Sequence, residues 1–574
     1  MTRFAPILDW SRDYDRRWLR GDVLAGIAVA AMIVPKNLGY AGIAGIPVEN
    51  GLYAAAAAAI IYGIFCTSRH ISTGPSSSLA AVAGGAVLVT GLAGDEAAQL
   101  VAAIAIVTGV LFLLVAALKL GWLASFLSRA VVTGFLAGAA IDVVIGELPK
   151  LTGTTADGVN AWQEFASWVR GLGSLSPTTL VVGLIALAVI LALRFRFPKV
   201  PGALVLVIGG LVSSVIFDLG ARGVALVDPV PRGLPIPRIP SFELVSQELP
   251  TVVIASFALL LIGFSQTAGD AQAFATRHRY RIDLNQESVA QGMANIGAGV
   301  FRGMPVSTSL SASSLNESAG ARSPVASLAT GAIVVATLIL FAPVFSELPK
   351  AVLAAIIIDA VVFGMIDLPA FRRLRRVKPF DFWIALAAVI GVLSVGVLLG
   401  VVVGVVLSLL WLIHVATRPS MPALGRQPGT HVYRDLDEHP EDDTDPGVAV
   451  IRMDGGLFFA TAAALDERVR AILAQQPELH SVVLDLEGVN FVDSQGAEKL
   501  GELLDLTEAT DVELRLARLK PNVSSVLAAD GLIDRIGPAR IHGNVHRAVK
   551  AAQAADADRV ARLARPEGFE PPTY

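Results

Sequence analysis

Long apolar stretches separated by short polar stretches run through the first 418 residues of the chain. A transmembrane helix needs about 20 apolar residues, and the pattern predicts fourteen such segments, numbered 1 to 14 in chain order. They fall at 23–41, 51–67, 76–92, 97–118, 124–146, 177–194, 202–219, 251–276, 284–300, 307–320, 324–343, 349–366, 380–396 and 397–415. The sequence therefore predicts a polytopic α-helical membrane domain at residues 1–418.

The pattern changes after residue 418, where charged residues return and no further spanning segment is predicted. Residues 419–446 are acidic and contain prolines, so they are predicted to form a linker. Residues 447–552 alternate strand-like runs, such as Val448–Arg452, with helical apolar spacing, as at Gln495–Thr507, which is typical of an α/β domain. Residues 553–574 are predicted to be a disordered tail.

Two polar interruptions stand out within the apolar segments. Ser307–Ser314 carries six hydroxyl residues in eight, and it follows Gly303 and Pro305, which oppose a continuous helix. We expect a half-helix that begins near Ser307–Ser309 in the middle of the membrane. The free N–H groups and positive dipole end of such a helix favour an anion. The alternative is a serine-rich loop outside the membrane.

The second interruption, Ser72–Ser78 (STGPSSS), has the same Gly-Pro break followed by hydroxyl residues. It opens segment 3 as the first interruption opens segment 10, so each is third in its half of a 7 + 7 inverted repeat. Transporters built this way hold their substrate between two broken segments. The predicted substrate-binding residues, acting mostly through backbone N–H groups, are Thr73, Gly74, Ser76, Thr308, Ser309 and Leu310.

Composition agrees with a membrane protein and narrows the choice of partners. Only 16% of the 574 residues are charged, whereas a soluble domain has about 25%. The net charge of −4 offers no basic surface for nucleic acid. The single cysteine, Cys66, excludes an internal disulfide, and no His or Cys cluster predicts a metal site. The expected partners are the lipid bilayer and a small anion, with no cofactor other than H⁺ or Na⁺ as a coupling ion.

Basic residues concentrate in alternate loops, which sets the predicted orientation. They include Arg16, Arg17, Arg20, Arg69, Arg277, Arg279, Arg281, Arg322, Arg372, Arg373, Arg375 and Arg376. The intervening loops are poor in basic residues or balanced by acids. The N-terminus and the C-terminal domain are therefore predicted to be cytoplasmic, in a multi-pass protein of the inner (cytoplasmic) membrane.

Several motifs along the chain point to a known family. They are PKNLGYAGIAGIPVENGLY at Pro35–Tyr53, TSRHISTGP at Thr67–Pro75, the runs Ala273–Ala275, Ile282–Asp283, Asn285–Glu287 and Gly303–Pro305, and VDSQG at Val492–Gly496. Together they resemble the sulfate permease family of anion transporters. The last of them resembles the loop of a STAS domain (sulfate transporter and anti-sigma-factor antagonist).

This resemblance implies a mechanism as well as a fold. A core domain (segments 1–4 and 8–11) is expected to hold the anion and to slide, elevator-like, against a gate domain (segments 5–7 and 12–14). The implied function is secondary active transport of a small oxyanion such as sulfate, bicarbonate or a dicarboxylate, coupled to H⁺ or Na⁺. No bond is made or broken, so no enzyme activity is expected. The resemblance also implies a homodimer formed through the gate segments and the tail.

The sequence departs from the family pattern at the expected anion site. Many members have an arginine at the position of Ala312, and a glutamine at that of Lys36. A lysine in mid-membrane is costly and usually faces a cavity. We therefore predict that Lys36 supplies the missing positive charge to the anion. The alternative is that Lys36 extends to a membrane interface.

The expected coupling site departs from the pattern as well. Many members have an acidic residue at the position of Gln266, whereas the acid here is Asp270, one helical turn later. In the cyanobacterial bicarbonate transporters that this segment resembles, the Asp270 position carries a hydroxyl ligand of Na⁺. An aspartate there can bind a proton or Na⁺, pair with Lys36, or lie at the interface beside Arg277. For Asp142 and Asp359, on gate segments, structural pairing is favoured over coupling.

The predicted STAS loop contains Asp493 and Ser494. In the phosphorylated anti-sigma antagonists a second serine receives the phosphate, and Gln495 stands at that position here. Phosphorylation at this position is therefore not expected, although Ser494 keeps a hydroxyl at the helix N-terminus.

Three other functions remain open at this stage. A nucleobase permease shares the fold, but it normally lacks a STAS tail, and the hydroxyl-rich site has few groups to recognise a base. An anion channel would lack saturable counter-transport. A membrane sensor would signal through its STAS domain without transporting anything.

Overall fold

The computed structural model describes residues 6–12, 14–120, 129–158, 160–198 and 200–563. The chain divides into two compact units, Met1–Ser408 and Leu409–Tyr574, and each is described by itself. The division lies within the last apolar helix, Val397–Ala416. The change of composition near residue 418 comes just after the end of that helix.

The first unit is almost entirely helical in the described part of the chain. Its helices are α1 (Ile7–Trp10), α2 (Leu19–Ile43), α3 (Glu49–Phe65), α4 (Ser77–Thr90), α5 (Gly94–Ala117), α6 (Arg129–Thr152), α7 (Ala161–Gly171), α8 (Pro177–Arg196), α9 (Gly202–Phe217), α10 (Phe242–Gln247), α11 (Leu249–His278), α12 (Leu284–Val300), α13 (Leu310–Ser318), α14 (Val325–Leu340), α15 (Lys350–Met365), α16 (Leu368–Val377), α17 (Pro379–Val395) and α18 (Val397–Ala416). Two short strands, β1 (Thr73–Gly74) and β2 (Ser307–Thr308), precede α4 and α13.

All fourteen predicted segments are helices. They correspond to α2–α6, α8, α9, α11–α15, α17 and α18, although residues 124–128 of predicted segment 5 lie outside the described residues. Within the described residues, seven helical stretches are long and apolar enough to cross a membrane, and five shorter apolar helices accompany them. Segments 9 and 10, now α12 and α13, are short and polar because they carry side chains that serve the site described below.

The packing of the first unit shows the predicted inverted repeat. Segment 1 packs against 11 and segment 8 against 4; segment 2 packs against 11 and segment 9 against 4. In the gate, segment 5 packs against 13 and segment 12 against 6. Each of these contacts therefore recurs with its partners exchanged by seven, as a two-fold relation between two halves requires. The core and gate groupings are confirmed.

An extended segment leads from α12 back into the core of the unit. Its backbone polar groups lie away from water and need partners. Asn295 of α12 accepts from the Val306 N–H at 3.0 Å, and its Nδ2 donates to the Val306 carbonyl at 2.9 Å. Gln291 donates to the same carbonyl at 2.5 Å. These fully buried amides explain why α12 is polar, and they hold β2 in mid-unit.

Glycine at position 303 allows this extended segment to approach α3. A Cβ at Gly303 would lie 2.7 Å from Ala54, closer than side-chain carbons approach backbone. The break at Gly303 and Pro305 therefore follows the end of α12, and the lack of a side chain at Gly303 leaves space for the extended segment to pack beside α3.

The matching segment after α3 is held by a buried carboxylate. Glu287, in the first turn of α12, accepts from the N–H groups of Thr67 and Ser68 at 2.8 and 2.9 Å. It also accepts from the hydroxyls of Thr67 and Tyr62. Glu287 is fully buried. Its carboxyl group is stabilised there by these four hydrogen bonds from the end of α3 and the chain that leads into β1.

The second unit contains a four-stranded parallel sheet in the order β5-β6-β7-β8. Its strands are β3 (Leu424–Arg426), β4 (Tyr433–Asp435), β5 (Val448–Arg452), β6 (Ser481–Asp485), β7 (Glu513–Ala517) and β8 (Ile541–His542). Its helices are α19 (Ala462–Gln475), α20 (Ser494–Ala509), α21 (Pro521–Ala529), α22 (Leu532–Ile536) and α23 (Val545–Leu563). The predicted α/β domain is therefore confirmed, with α22, α23 and β8 in addition.

Two of the predicted boundaries around this domain are wrong. Residues predicted as a linker form the β3–β4 hairpin, and Leu424 of that hairpin is buried against Val448 and Val483. The hairpin completes the hydrophobic core of the domain, which its acidic composition concealed. The predicted tail from 553 is also wrong up to Leu563, because α23 continues to that residue. Residues 564–574 lie outside the described residues.

Candidate anion site

The two broken segments meet directly in the first unit. Strands β1 and β2 pair antiparallel, with Thr73 opposite Thr308 and Gly74 opposite Ser307. The N–H of Ser309 also donates to the carbonyl of Ser72 at 3.1 Å. The serine-rich segment is therefore inside the unit, and the alternative of an external loop is wrong.

Each strand leads into the N-terminus of a helix. Ser76 is the N-cap of α4 and accepts from the Leu79 N–H, while Ser309 is the N-cap of α13 and accepts from the Ala312 N–H. The first N–H groups of a helix have no intrahelical acceptor, and each serine takes one of them. Two positive helix ends are thus brought together by the strand pair.

A cavity of about 460 Å³ opens in front of these helix ends. Every residue predicted to bind the substrate or the coupling ion lines it: Lys36, Thr73, Gly74, Ser76, Gln266, Asp270, Thr308, Ser309 and Leu310. Ala312 is in its wall as well. The far side belongs to the gate and includes Leu136 of α6 and Phe363 of α15, so the cavity lies between core and gate.

Gln266 of α11 bridges the two broken segments. Its Nε2 donates to the Ser78 hydroxyl at 3.0 Å, and its Oε1 accepts from the Ser307 hydroxyl at 2.6 Å. Both polar atoms of the carboxamide therefore have partners on segments 3 and 10. Gln266 positions the helix ends relative to one another.

Asp270 lies one turn further along α11. One of its carboxylate oxygens, Oδ2, accepts from the Thr308 hydroxyl at 2.8 Å, while the residue lines the cavity. It forms no ion pair with Lys36 among the described residues, and Arg277 pairs with Glu317 instead. The suggested pairing with Lys36 is therefore wrong.

Lys36 follows Pro35 within α2 and is half-buried in the cavity wall. It forms no ion pair in the described part of the chain, and it lines the cavity. The charges that act on it are those of Asp359 and Arg194. The cavity-facing position contradicts an interfacial lysine.

Asp359 and Arg194 form a bidentate pair on the gate. The guanidinium Nε and Nη2 donate to the two carboxylate oxygens at 2.5 and 2.7 Å, and the guanidinium also lies over the ring of Phe363, 4.4 Å from its centroid. The structural pairing predicted for Asp359 is confirmed. The same prediction for Asp142 is wrong, because Asp142 has no ion-pair partner among the described residues.

Two polar side chains in the cavity wall are buried without a hydrogen-bond partner in the described residues. They are the Thr73 hydroxyl and the Asn37 amide nitrogen, on residues that are 2% and 1% exposed. A buried unpaired donor is unfavourable by about 1–3 kcal/mol.

Sequence reasoning missed several of the cavity residues. Asn37 directly follows Lys36, and two adjacent polar residues after a proline in an apolar segment could have indicated Asn37 as a cavity residue. Tyr40, one turn later, gave a weaker indication. Gate residues such as Phe363 gave none, because an aromatic residue in an apolar segment is ordinary lipid-facing composition.

The predicted STAS loop lies at the start of α20. Asp493 is the N-cap of that helix and accepts from the Gly496 N–H at 2.7 Å and from the Phe459 N–H at 3.1 Å. Ser494 is exposed. Asp493 therefore has a structural role, tying the loop before α19 to the start of α20.

Two family profiles match the chain. Residues 19–388 match the Sulfate permease family, and residues 439–548 match the STAS domain. The chain belongs to the sulfate permease family. The second unit of this permease accordingly contains a STAS domain.

The relatives of this permease span nearly its whole length. It is 34% identical over 551 residues to the "Probable sulfate transporter MT1781" of Mycobacterium tuberculosis, which covers 96% of this chain and 98% of that protein. It is 29% identical to "Sulfate transporter 4.1, chloroplastic" of Arabidopsis thaliana, covering 95% and 82%.

Solved structures show the same fold at lower identity. Murine Slc26a9, described as an anion transporter in the inward-facing state, is 21% identical and has a TM-score of 0.87, covering 96% of this chain and 94% of that one. The transmembrane domain of the cyanobacterium bicarbonate transporter BicA is also 21% identical and has a TM-score of 0.59, covering 69% and 98%. This permease therefore has the fold of these structures.

Proposed function

We propose that this permease is a secondary active carrier of a small oxyanion, such as sulfate, bicarbonate or a dicarboxylate. The observation that carries the proposal is the β1–β2 pair, which presents two helix N-termini to the cavity that Lys36 also lines. Lys36 has no ion-pair partner among the described residues. Two positive helix ends and one ammonium suit a divalent or strongly hydrogen-bonding anion.

The proposed movement is an elevator-like displacement of the core against the gate, with H⁺ or Na⁺ as the coupling ion. The cavity has substrate groups on the core and mainly apolar residues on the gate, which suits a site that moves with the core. Asp270 is the proposed coupling residue, because its carboxylate lines the cavity and contacts Thr308 beside the helix end.

The proposed location is the inner (cytoplasmic) membrane with the N-terminus and the STAS domain in the cytoplasm. Its support is the charge pattern: α16 ends in Arg375 and Arg376, and the end of α11 carries Arg277. A homodimer is proposed on the family resemblance.

The test is uptake into proteoliposomes of radiolabelled sulfate, bicarbonate and succinate, each with and without a Na⁺ gradient and with and without a pH gradient. We expect saturable uptake of at least one anion, competition by its close analogues and counter-transport from preloaded vesicles. Stimulation by one gradient identifies the coupling ion.

The other candidate functions make different predictions in the same assay. Flux that does not saturate and shows no counter-transport would indicate a channel. Uptake of uracil or xanthine instead of anions would indicate a nucleobase permease. A well-folded protein that moves none of these solutes would contradict the carrier proposal and favour a sensor.

A further inference from the structure

A short helix of the gate, α16, lies between two apolar helices of the membrane unit. Only Ile366 and Asp367 separate it from α15, and only Lys378 separates it from α17. These neighbours correspond to segments 12 and 13, which are predicted to cross the membrane. The ten residues of α16 extend only about 15 Å. Such short connections therefore keep α16 at the membrane surface.

The residues of α16 divide between two faces. With 3.6 residues per turn, Ala370, Phe371 and Leu374 fall on one face, and all three are half-buried. The ring of Phe371 lies edge to face with that of Phe382 in α17, at a centroid distance of 6.5 Å. The apolar face of α16 therefore packs against the gate, and the other face is turned outward.

The outward face carries a concentration of positive charge. Its four arginines are Arg372, Arg373, Arg375 and Arg376. All four are exposed, and none of them has an ion pair or a side-chain hydrogen bond among the described residues. By contrast, Arg277 of the same unit pairs with Glu317 at 2.9 Å.

The helix itself accounts for only part of this charge. Asp367 is the N-cap of α16 and accepts a backbone N–H of the first turn at 2.9 Å, so its carboxylate is engaged there. Arg375 and Arg376 lie in the last turn, where the negative end of the helix dipole favours cations. Arg372 and Arg373 lie in the first half, where the dipole does not stabilise them. These two arginines therefore indicate a partner outside the helix.

The position of this surface fits the headgroup level of a bilayer. Trp383, in the second turn of α17, is 62% exposed, and exposed tryptophans near the ends of spanning helices typically lie among the headgroups. The rings of Phe371, Phe382 and Trp383 form a continuous row from α16 to that tryptophan. A guanidinium stays charged and can donate two parallel N–H bonds to a phosphate. The arginines of α16 therefore suit the phosphate groups of lipids at this level.

We propose that α16 binds the headgroup phosphates of anionic phospholipid through its four arginines. The binding itself does not depend on the carrier function. Its expected consequence does: α16 belongs to the gate, so lipid bound there holds the gate to the bilayer while the core moves.

The test of binding is the lipid that the purified full-length protein retains. The protein is equilibrated in detergent with equal amounts of phosphatidylglycerol and phosphatidylcholine of the same acyl chains, and the bound lipids are counted by native mass spectrometry. Each basic residue near a lipid surface raises the affinity for anionic lipid about fivefold. We therefore expect the wild type to prefer phosphatidylglycerol by about tenfold or more at low salt, and by less at high salt.

Neutralising the arginines of α16 should remove this preference. The quadruple variant is Arg372→Gln, Arg373→Gln, Arg375→Gln and Arg376→Gln. The matched control neutralises four arginines of the second unit that have acidic partners: Arg470→Gln, Arg535→Gln, Arg540→Gln and Arg559→Gln. Both proteins lose the same net charge, so a difference between them reports the position of the arginines. The control should keep the wild-type preference.

Equal retention of the two lipids by the wild type would overturn the proposal. A quadruple variant with the wild-type preference would overturn it too, as would a control that loses the preference. An acidic surface of the second unit is the other kind of partner that these arginines could bind. In that case the quadruple variant would retain as much phosphatidylglycerol as the wild type, and hydrogen exchange in residues 419–563 would become faster, which would also overturn the lipid site.

A double variant covers the case in which the quadruple variant does not fold. Arg372→Gln with Arg373→Gln removes the two arginines that the helix dipole does not explain and keeps the two in the last turn. The preference for phosphatidylglycerol should fall about fivefold or more. A folded double variant with the full wild-type preference would overturn the proposal. Size-exclusion profiles confirm that the compared proteins are folded.

The effect on transport rests on the carrier function proposed above. Adding phosphatidylglycerol to phosphatidylcholine vesicles should speed anion exchange by the wild type and leave exchange by the quadruple variant unchanged. Exchange by the wild type that does not respond to phosphatidylglycerol would contradict the anchoring of the gate. No exchange in any lipid would contradict the carrier function, whereas the retained lipid decides the binding site independently.

Discussion

Lys36 is the residue on which the proposed site depends most. Helix dipoles supply roughly half an elementary charge each, which leaves a desolvated divalent anion short of positive charge. Lys36 is proposed to supply the further positive charge from α2, and it has no ion-pair partner among the described residues. The two charged groups that act on Lys36, Asp359 and Arg194, are paired with each other and act in opposite directions.

Replacing Lys36 by glutamine should therefore weaken anion binding without unfolding the protein. We expect the apparent affinity to fall about 10- to 100-fold, the range for one charge-assisted hydrogen bond. Ala312→Arg in the Lys36→Gln background should recover part of this loss, since Ala312 lies in the same cavity wall. Binding is measured by calorimetry on purified protein.

The matched control is Lys350→Gln. Lys350 lies at the start of α15, where it interacts with Asp228 at 3.3 Å outside the anion cavity. The control should bind with the affinity of the wild type. Equal affinities in Lys36→Gln and Lys350→Gln would contradict the assignment of Lys36 to the anion.

At the scale of elements, the site depends on the alignment of two half-helices from different parts of the chain. Their strands exchange few hydrogen bonds, and Gln266 adds one bond to each half. Asn295 and Gln291 hold the backbone before β2, and Glu287 holds the chain before β1. Side chains of α11 and α12 thus fix the geometry of α4 and α13.

Gln266→Ala should disturb this alignment. Losing two neutral hydrogen bonds costs about 1 kcal/mol each, so we expect anion affinity to fall by roughly tenfold or more. Gln266→Glu keeps the acceptor for Ser307 but loses the donor to Ser78, and it should bind with intermediate affinity at pH 7.5. An affinity for Gln266→Ala equal to that of the wild type would show that the strand pair alone fixes the helix ends.

At the scale of the whole molecule, the STAS domain begins before the residue at which the sequence pattern placed it. The β3–β4 hairpin contributes Leu424 to the core formed with Val450 and Val549. A protein cut after Pro446 keeps this hairpin but loses the strands and helices that cover it.

Two truncations test this boundary and the division of functions between the units. Deletion after Arg418 should give a protein that remains monodisperse and keeps its order of preference among anions. Deletion after Pro446 should aggregate more and melt at lower temperature, because Leu424 is exposed. Size-exclusion chromatography, thermal unfolding and the uptake panel provide the comparison. A changed anion preference in a folded 418 truncation would assign part of the selectivity to the STAS domain.

The sequence by itself determined which parts of the chain form helices and where two of them break. Apolar length, Gly-Pro breaks and serine N-caps act over a few residues, so fourteen segments, both half-helices and three strands of the STAS sheet were predictable. The candidate anion residues of segments 3 and 10 were predictable for the same reason, because they lie at those breaks.

Only the tertiary structure decided which groups meet. Gln266 and Ser78 are 188 residues apart, and Ser72 and Ser313 are 241 apart, so no local pattern links them. The same is true of Asp359, which finds Arg194, and of Asp142, which finds no cation among the described residues. The acidic sequence around Leu424 did not indicate the hairpin, which is evident only from the packing of Leu424 against strands β5 and β6. Hydrogen bonds and ion pairs depend on distances of a few ångströms, and in this chain packing between remote segments sets those distances.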